Sequence, residues 1–163
     1  MALEIERKFL VLSDDYKRQA FASSHIWQGY IASGNGRTVR IRIRDDRAFL
    51  TIKGPSDDGG LSRYEFETEV PVADAREMRR ICLPGSIDKT RWLVRAADGH
   101  IFEVDEFHAD NEGLVVAEVE LKSDDESFAL PDFIGGEVTG NRRYYNSHLC
   151  RYPYCIWQDE ANK

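Results

Sequence analysis

Like charges recur at every second position along this chain: Glu4/Glu6, Arg40/Arg42/Arg44, Glu65/Glu67/Glu69, Lys89/Arg91, Glu103/Asp105 and Glu118/Glu120. Carboxylate oxygens are hard donors that suit Mg²⁺ or Mn²⁺, and guanidinium and ammonium groups suit phosphate oxygens. Together the two sets supply what metal-assisted phosphoryl chemistry requires, because metal and cations offset the charge of a phosphate chain and of its transition state. Like charges on one side of a strand repel. Such blocks persist most readily where an opposite block, a metal or a ligand neutralises them. The competing reading is that each charged face meets water, as the outer face of an amphipathic antiparallel sheet does. Against it, Glu, Asp and Lys are depleted in strands, where solvated faces more often carry Thr and other strand formers.

The spacing is period two, so strands must position these side chains. Glu4, Glu6 and Lys8 share a face opposite Ile5 and Phe9, and Arg40, Arg42 and Arg44 alternate with Val39, Ile41 and Ile43. Residues 48–53 read as the return arm of a hairpin turning at Asp45-Asp46, with Lys53 stopped by Gly54-Pro55. The strand over about 62–70 sets Arg63, Glu65, Glu67 and Glu69 opposite Tyr64, Phe66 and Val70. Residues 89–95 set Lys89, Arg91 and Arg95 opposite Trp92 and Val94, and a hairpin at Asp98-Gly99 returns Glu103 and Asp105 opposite Phe102 and Val104. Residues 114–122 set Glu118, Glu120 and Lys122 opposite Ala117, Val119 and Leu121. Capping residues predict helices over about 13–23, 74–82 and 123–131, with a further one over 139–149. Residues 33–36 and 56–60 read as hairpin loops. If the strands close into a barrel with their charged faces inward, the lumen is a polar tunnel with acidic and basic sectors. The apolar faces then point outward to helices or a partner subunit, and, only partly covered by short helices, they suit a homodimer.

Composition bounds the partners. The 163 residues carry 29 acids against 22 bases, a net charge of −7, which argues against a non-specific grip on nucleic acid or an anionic membrane. No apolar run approaches the roughly 20 residues needed to span a bilayer, and the charged N-terminus lacks the apolar stretch of a signal peptide. A cytoplasmic location is expected. The length suits a single domain over 1–163. Cys82, Cys150 and Cys155 lack zinc spacing and read as reduced structural thiols. The histidines lack HExxH spacing, and neither a Walker-type loop nor a GxSxG elbow is present. His108 reads as a solvated loop residue, with a place near the barrel mouth as the less favoured alternative.

The motifs then resemble a known family. Glu4-Ile5-Glu6-Arg7-Lys8-Phe9-Leu10 is similar to the ExExK signature of the CYTH superfamily, the triphosphate tunnel metalloenzymes. The resemblance continues through Arg37 to Arg42, Leu50 to Gly54, Ser62 to Glu67, Asp88 to Arg91, Glu103 to Phe107, Ala117 to Leu121, Glu137 to Gly140 and Tyr144 to Ser147, in order along nearly the whole chain.

What the resemblance implies is an α+β fold: a closed antiparallel barrel of eight strands with a charged lumen and helices packed outside. Its start is most like the short bacterial inorganic tripolyphosphatases. The implied activity is therefore divalent-metal-dependent hydrolysis of inorganic triphosphate to diphosphate and phosphate. Carried over by position, Glu4, Glu6, Glu118 and Glu120 would bind Mg²⁺ or Mn²⁺ and, with Lys8, form the catalytic set. Lys8, Arg40, Arg42, Lys53, Lys89 and Arg91 would hold the triphosphate, and Glu65, Glu67, Glu103 and Asp105 would line the acidic sector. Arg142 and Arg143 stand where the family places a basic residue near the tunnel mouth, and which of them points inward is left open. The alternatives are a nucleoside or thiamine triphosphatase, a class IV adenylate cyclase, or a polyphosphate-binding module without turnover. The last would lack the metal carboxylates, which this chain keeps.

Overall fold

The computed structural model describes residues 3–57, 59 and 62–161. Among the described residues nine antiparallel strands are present: β1 (Leu3–Val11), β2 (Ala22–Gly34), β3 (Arg37–Arg44), β4 (Arg47–Asp57), β5 (Ser62–Val70), β6 (Ile87–Arg95), β7 (Ile101–Phe107), β8 (Val115–Glu120) and β9 (Ile134–Glu137). They run in the order β5-β4-β3-β2-β6-β7-β8-β1-β9, and an additional β5–β1 pairing closes the first eight into a barrel. Closure falls on one strand. The start of β1 pairs with β5, Leu3 against Tyr64 and Ile5 against Ser62, and its continuation pairs with β8, Glu6 against Glu120 and Lys8 against Glu118. Once β5 has ended, β9 takes that edge, with Phe9 opposite Glu137.

The hydrophobic core lies outside the barrel. Phe9, Phe102, Val104, Ala117 and Val119 point outward and pack with Tyr16 and Phe133, which reach in from α1 (Asp15–Gln19) and from the segment before β9. A second cluster joins Ile87, Phe107 and Val116 to Tyr144, Leu149, Tyr154 and Trp157 of the C-terminal segment, which carries α3 (Asn146–Leu149) and α4 (Tyr154–Ala161). A third seats α2 (Val72–Arg79) on Ile41 and Ala48 through Ala75. At about 1.5–3 kcal/mol for each large apolar side chain fully buried, these three layers offset a lumen filled with charge. Ile52, Tyr64, Phe66 and Leu3, on the outer face of β4, β5 and β1, stay exposed. Among the described residues no helix is long and apolar enough to cross a membrane.

The alternation placed seven of the eight barrel strands. β2 gave no signal because its only charge-capable side chain is His25. β4 runs on past Gly54-Pro55 to Asp57, through an irregularity between Lys53 and Ser56. The helix over 13–23 stops at Gln19, since Phe21 N–H already donates to Leu93 O of the sheet. The helix expected from Asp74 starts earlier, at Val72 after Pro71, and ends at Arg79. Residues 123–131 form no helix: Ser123 Oγ bonds Asp125 and Glu126 accepts from Lys122 N–H, local bonds that compete with helical ones. The loop over 56–60 lies partly outside the described residues.

Candidate active site

Fifteen of the side chains singled out by spacing meet around one cavity of about 240 Å³: Glu4, Glu6, Lys8, Arg40, Arg42, Arg44, Lys53, Arg63, Glu65, Glu67, Lys89, Arg91, Glu103, Glu118 and Glu120. Register explains how. β3 and β4 oppose Arg40 to Thr51, β4 and β5 oppose Lys53 to Glu65, and β1 and β8 oppose Lys8 to Glu118, all on the inner face. Asp105 stands behind the cavity wall, 2% exposed, and accepts from Lys89 Nζ at 2.7 Å and from Arg91 Nε and Nη2 at 2.8 and 2.9 Å. Arg91 Nη1 also reaches Glu103 at 2.7 Å. Lys53 Nζ lies 2.8 Å from Glu4 Oε2. Lys8 Nζ lies 3.3 Å from Glu118 and donates to Tyr144 O at 3.2 Å.

Several residues of the site carry no charge and gave no sequence signal. Gln28, fully buried, accepts from Arg42 Nε at 3.0 Å and donates to Asn146 Oδ1 at 3.2 Å, and the same Asn146 oxygen accepts from Lys89 at 2.9 Å. Thr51 accepts from Arg40 at 3.1 Å and donates to Glu67 at 2.8 Å. Only the conjunction of a strand with an inward polar amide would have revealed Gln28, and β2 was not legible as a strand.

Neither Arg142 nor Arg143 reaches this cavity. The expected helix over 139–149 is broken: Gly140 adopts φ 80°, a 3-10 turn covers Arg142–Tyr144, and Tyr145 is extended before α3 begins. The break turns Tyr145, Asn146 and Ser147 to the lumen instead. Arg143 bonds Glu160 and lies over the Trp157 ring, while Arg142 faces an outer groove. His108, half-buried, bonds the Thr90 hydroxyl at 2.8 Å and does not line the cavity.

The lumen is electrically crowded on both sides. Burial, then the charges of Glu118 and Glu4, holds the Glu6 carboxyl well above the usual carboxylate range. Burial opposes the charge of Glu118 too, but Lys8, a hydrogen bond from Glu6, Arg91 and Lys89 outweigh it and hold Glu118 well below that range. Burial brings Lys89 down to about 7 despite Asp105, with Arg91 and Arg42 pushing the same way. Arg42 falls to about 9 through burial and the neighbouring Arg40 and Arg91. Among the described residues Arg42 has no carboxylate in salt-bridge contact; its hydrogen-bond partner is the neutral Gln28. A buried cation of this kind is costly unless an anion joins it.

The donor chemistry fits a divalent cation. Burial and the charges of Glu118 and Glu4 raise Glu6, so these carboxylates crowd one another, and Glu4 Oε2 is a buried oxygen with no hydrogen bond of proper geometry despite the near approach of Lys53. A hard cation would relieve that repulsion. The carboxylates do not form a closed ligand set in this arrangement: among the described residues no three acidic, His or Cys side chains converge in metal-ligating geometry. Glu4 instead faces Lys53, and Glu118 faces Lys8.

Comparison with known proteins agrees with this geometry. The chain is 44% identical over 155 residues to an inorganic triphosphatase of Acetivibrio thermocellus, covering 94% of this chain and 97% of the relative. It is 33% identical over 149 residues to an inorganic triphosphatase of Nitrosomonas europaea, covering 90% and 95%. The crystal structure of the inorganic triphosphatase NE1496 superposes with a TM-score of 0.63 at 30% identity over 90% of this chain and 97% of that one. The CYTH domain profile matches residues 2–148, and the chain therefore belongs to the CYTH family.

Proposed function

We propose that this protein hydrolyses inorganic triphosphate to diphosphate and phosphate with the help of Mg²⁺ or Mn²⁺. The observation that carries the reading is a closed lumen in which Arg40, Arg42, Lys53, Lys89, Arg91 and Lys8 surround a small polar space beside a crowded glutamate set. The kinship with two inorganic triphosphatases supports it. A cation held by Glu4, Glu6, Glu118 and Glu120 would supply charge neutralisation at the phosphate oxygens and lower the pKa of water. The basic residues would bind the non-bridging oxygens, with Arg42 gaining the anion it lacks among the described residues. Charge that builds on the leaving diphosphate as the terminal P–O–P bond breaks would be stabilised by guanidinium forks already in place. A carboxylate of the glutamate set would accept the proton of the attacking water.

The test is phosphate release from tripolyphosphate, ATP and thiamine triphosphate, with Mg²⁺, with Mn²⁺ and with chelator. Tripolyphosphate should be turned over fastest and only with metal. Glu6→Gln and Lys8→Ala should each lower kcat more than about a hundredfold, the scale of losing one preorganised charged group. Unchanged turnover in both variants, or cyclic AMP with diphosphate as the main products, would sink the assignment.

A further inference from the structure

Four arginines gather at one mouth of the tunnel. A groove of about 750 Å³ lies between the β2–β3 turn and the segment 140–152, and it shares Thr38, Arg63, Tyr145 and Ser147 with the tunnel lining, so the two spaces adjoin. Arg37, Arg63, Arg142 and Arg151 line it, and none of its described lining residues is acidic. Among the described residues these four arginines have no ion pair, whereas Arg7, Arg47 and Arg143 each sit on a glutamate. Arg151 Nη2 is fixed on Ser33 O at 3.0 Å and Arg63 Nη2 on Gly36 O at 3.4 Å. Arg63 Nε, buried where groove meets tunnel, has no partner. Along β5 the tunnel lining passes from Arg63 at this mouth to Glu65 and Glu67, while Arg44 lines it beside the β3–β4 turn.

In a chain of net charge −7 a concave wall of arginines with no ion pair among the described residues is a local reversal of sign. Low-dielectric walls focus such a field and raise both the local concentration and the association rate of an opposite charge. We infer that this groove is an oxyanion-binding vestibule that captures the polyphosphate substrate and loads it into the tunnel from this end. Arg37, Arg142 and Arg151 make the first contact, and Arg63, present in both linings, passes the phosphate chain inward. The inference rests on the triphosphatase reading.

The experiment compares wild type with the double variant Arg142→Gln/Arg151→Gln, using tripolyphosphate with metal across a series of salt concentrations. Folding of each variant is checked by circular dichroism. Arg47→Gln, at the far β3–β4 turn, removes the same kind of charge from the other end. Expected is a fall in kcat/KM of about tenfold at low salt with kcat held within about twofold and a flatter salt dependence, while Arg47→Gln behaves as wild type. The inference is overturned if kcat/KM keeps its value and slope, if kcat falls in parallel, or if Arg47→Gln produces the same loss. Wild type failing to release phosphate from tripolyphosphate would overturn the triphosphatase reading itself, a separate result.

Discussion

At the scale of the residue, Lys89 joins the lumen's electrostatics to a measurable pH profile. Its ammonium is fully buried, held by Asp105 and Asn146, and yet burial and two arginines bring it down to about 7. A lysine depressed in this way binds its proton only below that value, so the free tunnel loses one phosphate-binding charge as pH rises through about 7. An anion in the tunnel favours the charged form and moves the group back up. The expected outcome is a basic limb in kcat/KM near pH 7 that appears at higher pH in kcat; coincident limbs would contradict the assignment. Which charged residues line the site was legible, because like charges at every second position mark one strand face. Gln28 and Asn146 were not, since a neutral amide leaves no such mark. Arg143 was misplaced because one glycine at positive φ redirects the segment that carries it.

Among the elements, the turn between β6 and β7 shows what replaced the helix expected over 123–131. His100 Nδ1 lies 2.9 Å from Asp98 Oδ2 and its Nε2 bonds Glu126 at 2.5 Å, Asp98 accepts from Ala129 N–H, and Glu126 accepts from Lys122 N–H. These carboxylates tie an acidic, extended segment to the barrel, and no pattern in residues 123–131 alone announces that partner. The hydrogen bonds to Glu126 and Asp98 raise the His100 pKa above its ordinary 6.5, so its contribution to stability is full below that value and fades as pH rises through the raised one. Glu126, through the Lys122 N–H first and then His100, titrates below 4.5 and loses its contribution as pH falls further. The staple is therefore strongest between about pH 4.5 and 6.5. The Tm difference between wild type and His100→Gln should be greatest near pH 5.5 and should shrink by pH 9. A difference independent of pH would show that His100 acts through packing alone.

For the molecule as a whole, the barrel is assembled around charges it does not fully neutralise. Its apolar layers lie outside, where α1, α2 and the C-terminal segment cover the strands, and among the described residues its lumen keeps Arg42 without a carboxylate partner and crowds Glu4, Glu6 and Glu118 together. Each ligand then has its own defect to repair: a polyanion relieves the arginines, and a divalent cation relieves the glutamates. Because each improves the field for the other, their effects on stability should be more than additive. A ligand at a hundred times its Kd stabilises the folded state by about 2.7 kcal/mol, and for a domain of this size that is about 5–10 °C in Tm. Thermal melts with orthophosphate or diphosphate alone, metal alone and both together should show the largest rise with both, and Glu6→Gln should remove the excess while leaving the response to anion. An anion response that also vanished in Glu6→Gln would place the two ligands on a single set of residues and contradict the division into acidic and basic sectors.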